Sequence, residues 1–129
     1  MQVGELLPAH ACALGKAILA FSPDAVAPLK QATLERFTAR TISDGRVLLG
    51  QLSTVRERGW AFDVEELSHG EAGIAAPIRD HGGVVVGAVG ISGSPQSVCD
   101  GGRNPRSTLA ARVMETARAI TGELAMRRD

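Results

Sequence analysis

The sequence predicts an α+β fold, with helices packed on one side of a mainly antiparallel sheet. Three observations support it: helical patterns open the chain, extended segments follow one another between residues 59 and 93, and a long helical pattern closes it. With 129 residues there is room for one compact domain around a single core.

Residues 10–21 hold Leu14, Ala17, Ile18 and Phe21 at the i, i+3, i+4, i+7 spacing of an amphipathic helix. Ser22-Pro23-Asp24 supplies a new N-cap, a proline at the first helical position and an acidic first turn, so a second short helix runs to about Gln31. Residues 38–42, Thr-Ala-Arg-Thr-Ile, favour an extended segment. Ser43 or Asp44 then caps a third helix that presents Leu48, Leu52 and Val55 on one face. Arg56 and Arg58 fall in its last turn, and Gly59 stops it.

From residue 59 to 65 the side chains alternate. Trp60, Phe62 and Val64 face a core, while Ala61, Asp63 and Glu65 face away and are available for chemistry. Residues 72–79 and 84–93 are strands separated by Asp80-His81-Gly82-Gly83, and they pair antiparallel. Residues 96–103 are polar and read as a loop. Asn104-Pro105 reads as the cap and first residue of a final helix with Leu109, Val113, Ala117, Ile120 and Leu124 on its buried stripe; Arg127 and Arg128 complement the negative end of its dipole.

Composition narrows the function. Fourteen basic and fourteen acidic residues cancel, which leaves no basic excess for neutralising nucleic-acid phosphates. One Trp, three Phe and no Tyr offer few platforms for stacking bases. No apolar run is long enough to span a bilayer and no signal-peptide pattern opens the chain, so a cytoplasmic location without membrane contact is expected. Cys12 and Cys99 neither imply nor exclude a disulfide.

Several motifs invite chemistry. Gly15-Lys16 lacks the upstream glycine and following hydroxyl of a phosphate loop, and the glycines between 87 and 93 lie within a strand, so neither is a nucleotide site. No cofactor is expected. His10 and Cys12 at a helix start could form a Cys-His nucleophile, with His69 as an alternative base, or Cys12 could be a small buried hydrophobe. Asp63, Glu65, Glu66, His69 and Glu71 could ligate a metal, or they could be solvated charges. A third arrangement is a small-molecule pocket: N–H groups at Ala13 and Leu14 receive an anion, Ser92 adds a hydroxyl, and Asp63 orients the ligand. Against it stands simple close packing of Ala13, Leu14 and Gly73 between helix and sheet.

Four blocks together carry a family resemblance: Leu7-Pro-Ala-His-Ala-Cys-Ala-Leu-Gly-Lys-Ala-Ile-Leu-Ala20, Thr38-Ala-Arg-Thr-Ile42, residues 56–80, and residues 87–93. They closely resemble, in order and over about residues 4–126, the C-terminal effector-binding domain of IclR-type bacterial transcriptional regulators. The resemblance implies a GAF-like fold, a non-enzymatic role, and a small effector, a carboxylate, that modulates DNA binding by a separate winged helix-turn-helix domain. Residues 1–129 then correspond to part of such an effector domain, without the DNA-binding domain and without direct DNA contact. A sheet edge left open would favour homo-oligomers. Matched position by position, effector contacts fall on the backbone at Ala13 and Leu14, and on Asp63, Gly73 and Ser92. Gly73 and Gly90 stand where family members often carry side chains, which implies a larger or less polar pocket. A small hydrolase and an assembly module without a ligand are the alternatives.

Overall fold

A computed structural model describes residues 9–101 and 103–126. Ala13–Leu19 forms α1, shorter at both ends than its spacing predicts. Its buried face also differs. Ala13, Lys16, Ala17 and Ala20 point inward, whereas Leu14 and Ile18 are 40% and 41% exposed. The inward set keeps the same i, i+3, i+4, i+7 spacing but consists of small residues and a lysine, so close approach to the sheet outweighs side-chain bulk.

The second helix is split. Pro23–Val26 is α-helical (α2), and Ala27–Gln31 continues as a 3-10 turn that buries Leu29. Pro28 has no N–H with which to continue the α pattern. Residues 37–40 turn instead of extending, contrary to the propensity of Thr-Ala-Arg-Thr-Ile. The Thr41 hydroxyl oxygen accepts the N–H groups of Phe37 and Thr38, at 3.0 and 2.9 Å, and so curls the segment on itself. Gly45–Arg58 is α3, capped by Asp44, whose carboxylate accepts the Arg46 N–H at 2.9 Å. Leu48, Leu52 and Val55 are fully buried, and Gly59 ends the helix at φ 90°, as the glycine signal predicted.

Strands β1 (Ala61–Val64), β2 (Ala72–Arg79) and β3 (Val85–Gly93) form an antiparallel sheet with β2 in the centre. The β2–β3 hairpin closes through Asp80, whose carboxylate accepts the N–H groups of Gly82 and Val84.

Helices cover both faces of this sheet, where one covered face was expected. Ala61 and Ala75 pack under α1 and α3 with Leu48, Leu52 and Val55. Val64, Ile74 and Ala76 pack on the other side against α5 (Ser107–Met126), through Ala110, Val113 and Ala117. The face of β1 assigned to open chemistry therefore lies beneath α1. Its opposite face is only half-sealed: the Arg58 guanidinium lies 3.9 Å from the Trp60 ring centroid and 5.1 Å from that of Phe62. Five consecutive buried residues, Ala72 to Ala76, are the signature of a strand covered twice.

The expected loop after residue 95 has structure of its own. Pro95–Val98 is a short helix (α4) capped by Ser94, and Cys99–Asp100 (β4) pairs with Asn104–Pro105 (β5). Arg106 holds this segment through the Ser97 and Gln96 carbonyls and a 2.7 Å bond to the Asp100 carboxylate. Asn104 and Pro105 thus belong to a ladder and not to the helix cap. Leu109 and Ile120 are half-buried on the α5 stripe and Leu124 is exposed; Arg127 and Arg128 lie outside the described residues.

Candidate functional site

Strand register builds the site. Asp63 on β1 is paired with Gly73 on β2, and Gly73 with Ser92 on β3, so the three form one row across the sheet. The first turn of α1 lies over that row. Gly73 contributes no side chain, and a Cβ there would lie 3.3 Å from the Asp63 carboxylate and 3.6 Å from the Ala13 Cβ. The gap opens into a cavity of about 320 Å³, and all five residues expected to contact an effector line it: Ala13, Leu14, Asp63, Gly73 and Ser92. Leu67 adds an apolar wall and Glu71 a second carboxylate, while Ile74 and Ile91, next to the row along their strands, turn their side chains to the α5 face.

The expected anion cradle is already partly used. The Ala13 N–H donates to the Asp63 carboxylate at 2.8 Å, so the protein's own acid occupies that donor. Among the described residues, no acceptor meets the Leu14 N–H. Asp63 is 8% exposed, and burial pushes its carboxyl up from 3.8 to about 6. The Ala13 N–H and the Lys16 ammonium oppose that rise, while Glu66 and Glu71 reinforce it.

Lys16 and Glu66 were missed. Both are buried, and Lys16 Nζ donates to Glu66 at 2.6 Å and to the Phe62 carbonyl at 3.1 Å. Glu66, expected to be a solvated charge, is instead the partner that lets a lysine sit at zero exposure. The signal was in the sequence: Lys16 completes the small-residue stripe Ala13, Ala17, Ala20. Glu65 is half-buried at φ 56° and accepts the Gly70 N–H.

The competing chemistries are not assembled. His10 Nε2 bonds to the Glu35 carbonyl at 2.7 Å and its ring lies against Phe37, while burial raises the Cys12 thiol above its ordinary value. A protonated thiol beside a histidine engaged elsewhere is not an activated nucleophile. His69 is exposed. Among the described residues, no three His, Cys, Asp or Glu side chains converge as a metal site would require. The reading of Gly90 also changes. A Cβ there would lie 2.5 Å from the Ile74 carbonyl oxygen, so this glycine permits β2 and β3 to approach closely, whatever it does for cavity size.

Fold and site together define a GAF-like α+β domain with a cavity between one helix and the sheet. Residues 1–122 match the family model described as bacterial transcriptional regulator IclR C-terminal, and the chain belongs to the IclR family. It is 40% identical over 124 residues to the glycerol operon regulatory protein of Streptomyces coelicolor, covering 96% of this chain and 48% of that protein. The repressor BlcR of Agobacterium tumefaciens is similar in structure, with a TM-score of 0.84 at 26% identity, over 99% of this chain and 51% of that one. The inducer-binding domain of PobR from Acinetobacter, solved as a double mutant with 3-hydroxybenzoic acid, has a TM-score of 0.75 at 26% identity, over 96% of this chain and 69% of that one. The chain thus spans about half the length of the first two. These relatives are transcriptional regulators and not enzymes, and among the described residues no helix is long and apolar enough to cross a membrane.

Two outcomes follow from this geometry. Lys16→Met strands a buried carboxylate and should cost about 3–5 kcal/mol in urea unfolding, whereas Lys16→Met with Glu66→Leu should recover much of that loss; additive losses would contradict the pairing. Because Asp63 has a raised pKa in the folded state, its contribution is complete below its ordinary value and is lost as pH rises through about 6. Between pH 7 and pH 5 the wild type should therefore gain about 1 kcal/mol relative to Asp63→Asn, and equal pH profiles for the two would contradict the assignment.

Proposed function

We propose that this chain is the effector-sensing part of an IclR-type transcriptional regulator in the cytoplasm. A small organic molecule enters the cavity under α1 and shifts a conformational or oligomeric equilibrium that a separate DNA-binding domain reads. The supporting observation is the row Asp63, Gly73, Ser92 beneath the Ala13–Leu14 turn, open to a cavity of about 320 Å³. A small carboxylate is the effector class to try first, by analogy with the 3-hydroxybenzoic acid held by the PobR domain. Its acid group would meet the Leu14 N–H and the Ser92 hydroxyl, with Asp63 on its other side. Homo-oligomers fit the same reading, since β3 ends the described sheet and Val84, just before it, and Val86, within it, are more than half exposed.

The reading is tested by calorimetric titration of small hydroxylated acids and alcohols into wild type and Asp63→Ala. A neutral hydroxyl ligand that binds the wild type should lose about tenfold or more in affinity in the variant, the loss expected for a charged hydrogen bond. Equal affinity for both proteins would remove Asp63 from the site.

A further inference from the structure

The charges around the cavity restrict what it can hold. Among the described residues no Lys, Arg or His side chain lines it, and residues 1–8 contain none. Two carboxylates do line it, Asp63 and Glu71. The titratable groups coupled to Asp63 are Cys12 at the cap of α1, Lys16 on α1, Glu66 and Glu71 from the β1–β2 connection, and Cys99 on β4; the paired strand positions, Gly73 and Ser92, add none. Lys16 is no counter-ion for a ligand, because it is fully buried and its ammonium is directed at Glu66 and the Phe62 carbonyl. One oxygen of Asp63 is held by the Ala13 N–H, and among the described residues no protein donor meets the other.

We propose that ionised Asp63 and an anionic ligand do not occupy this cavity together: a neutral hydroxyl compound binds as it is, and a carboxylate binds with uptake of one proton onto Asp63. The inference rests on the effector reading above and specifies its chemistry. Two carboxylates brought within hydrogen-bond distance, one of them buried, resist being ionised together without a cation to offset them. With a neutral ligand, ionised Asp63 accepts a hydroxyl hydrogen bond. With an acid, a proton from solvent joins the second oxygen of Asp63, which then donates to the ligand carboxylate; the first keeps its bond to Ala13. The burial that raises this carboxyl to about 6 places the transition within reach of ordinary buffers.

Matched probes separate the two forms. Glycerate with glycerol, 3-hydroxybenzoate with 3-hydroxybenzamide, and a panel of similar acid and neutral pairs are titrated calorimetrically at pH 5.5 and 7.5, in two buffers of different ionisation heat. Any acid that binds should weaken about 20-fold between the two pH values and take up close to one proton at pH 7.5. Its neutral counterpart should show neither effect. Asp63→Asn keeps an acceptor for the Ala13 N–H and should bind acids with the same affinity at both pH values. An acid bound equally at both pH values by the wild type, without proton uptake, would overturn the proposal and leave the effector site standing. Absence of binding by every member of the panel would overturn the effector site itself, and the proposal with it.

Discussion

The buried pair of Lys16 and Glu66 is the constraint from which the rest of the site follows. Removing two ions from water costs several kcal/mol each, so the pair persists only where contacts are close and numerous. Here the ammonium lies 2.6 Å from the Glu66 carboxylate, 3.1 Å from the Phe62 carbonyl and 5.9 Å from the Phe62 ring centroid. Those contacts tie α1 to β1 and to the connection that follows it. The Thr41 hydroxyl reaches the Glu66 carbonyl, and that of Thr38 reaches the Glu65 carbonyl at 2.6 Å, so the turn at residues 37–41 grips the same connection. Glu65 can then hold its left-handed conformation, which costs an L-residue about 1–2 kcal/mol. The chain reverses there, bringing Leu67 and Glu71 to the edge of the cavity.

A second consequence is electrostatic. One ammonium is enclosed with two carboxylates, Glu66 and Asp63, and the closer contact belongs to Glu66. Asp63 is left with a single backbone donor and with burial as the dominant influence on its protonation. The pair that fixes α1 over the sheet thus also leaves Asp63 as the buried group most responsive to what enters the cavity. Alanines at 13, 17, 61 and 75 allow the helix to approach closely enough for this arrangement to exist.

Much of this could be read in the sequence, and what could not has identifiable causes. The α3 boundaries were legible because Asp44 and Gly59 act locally, through a cap and a left-handed residue. The hairpin was legible for the same reason at Asp80 and Gly83. Ala13, Leu14, Asp63 and Ser92 could be proposed from their chemistry against a close-packing alternative, but Gly73 as a contact came only through the family resemblance, since register across three strands is not visible in any one of them. Lys16 and Glu66 escaped because each has a plausible surface reading alone, and their pairing joins positions 50 residues apart. Residues 37–40 and 95–105 were misread where side-chain hydroxyls and Arg106 supply the local hydrogen bonds, a choice that strand propensity does not encode.

The central claim, that the cavity under α1 is where a small molecule acts, is tested most directly by amide NMR during titration with whichever probe binds. The largest shifts should fall on Ala13, Leu14, Asp63, Gly73 and Ser92, with smaller ones at Lys16 and Glu66 as the buried pair adjusts. Shifts centred instead on the separate groove between β3 and α5, at Val89, Leu109, Arg112 and Thr116, would contradict it.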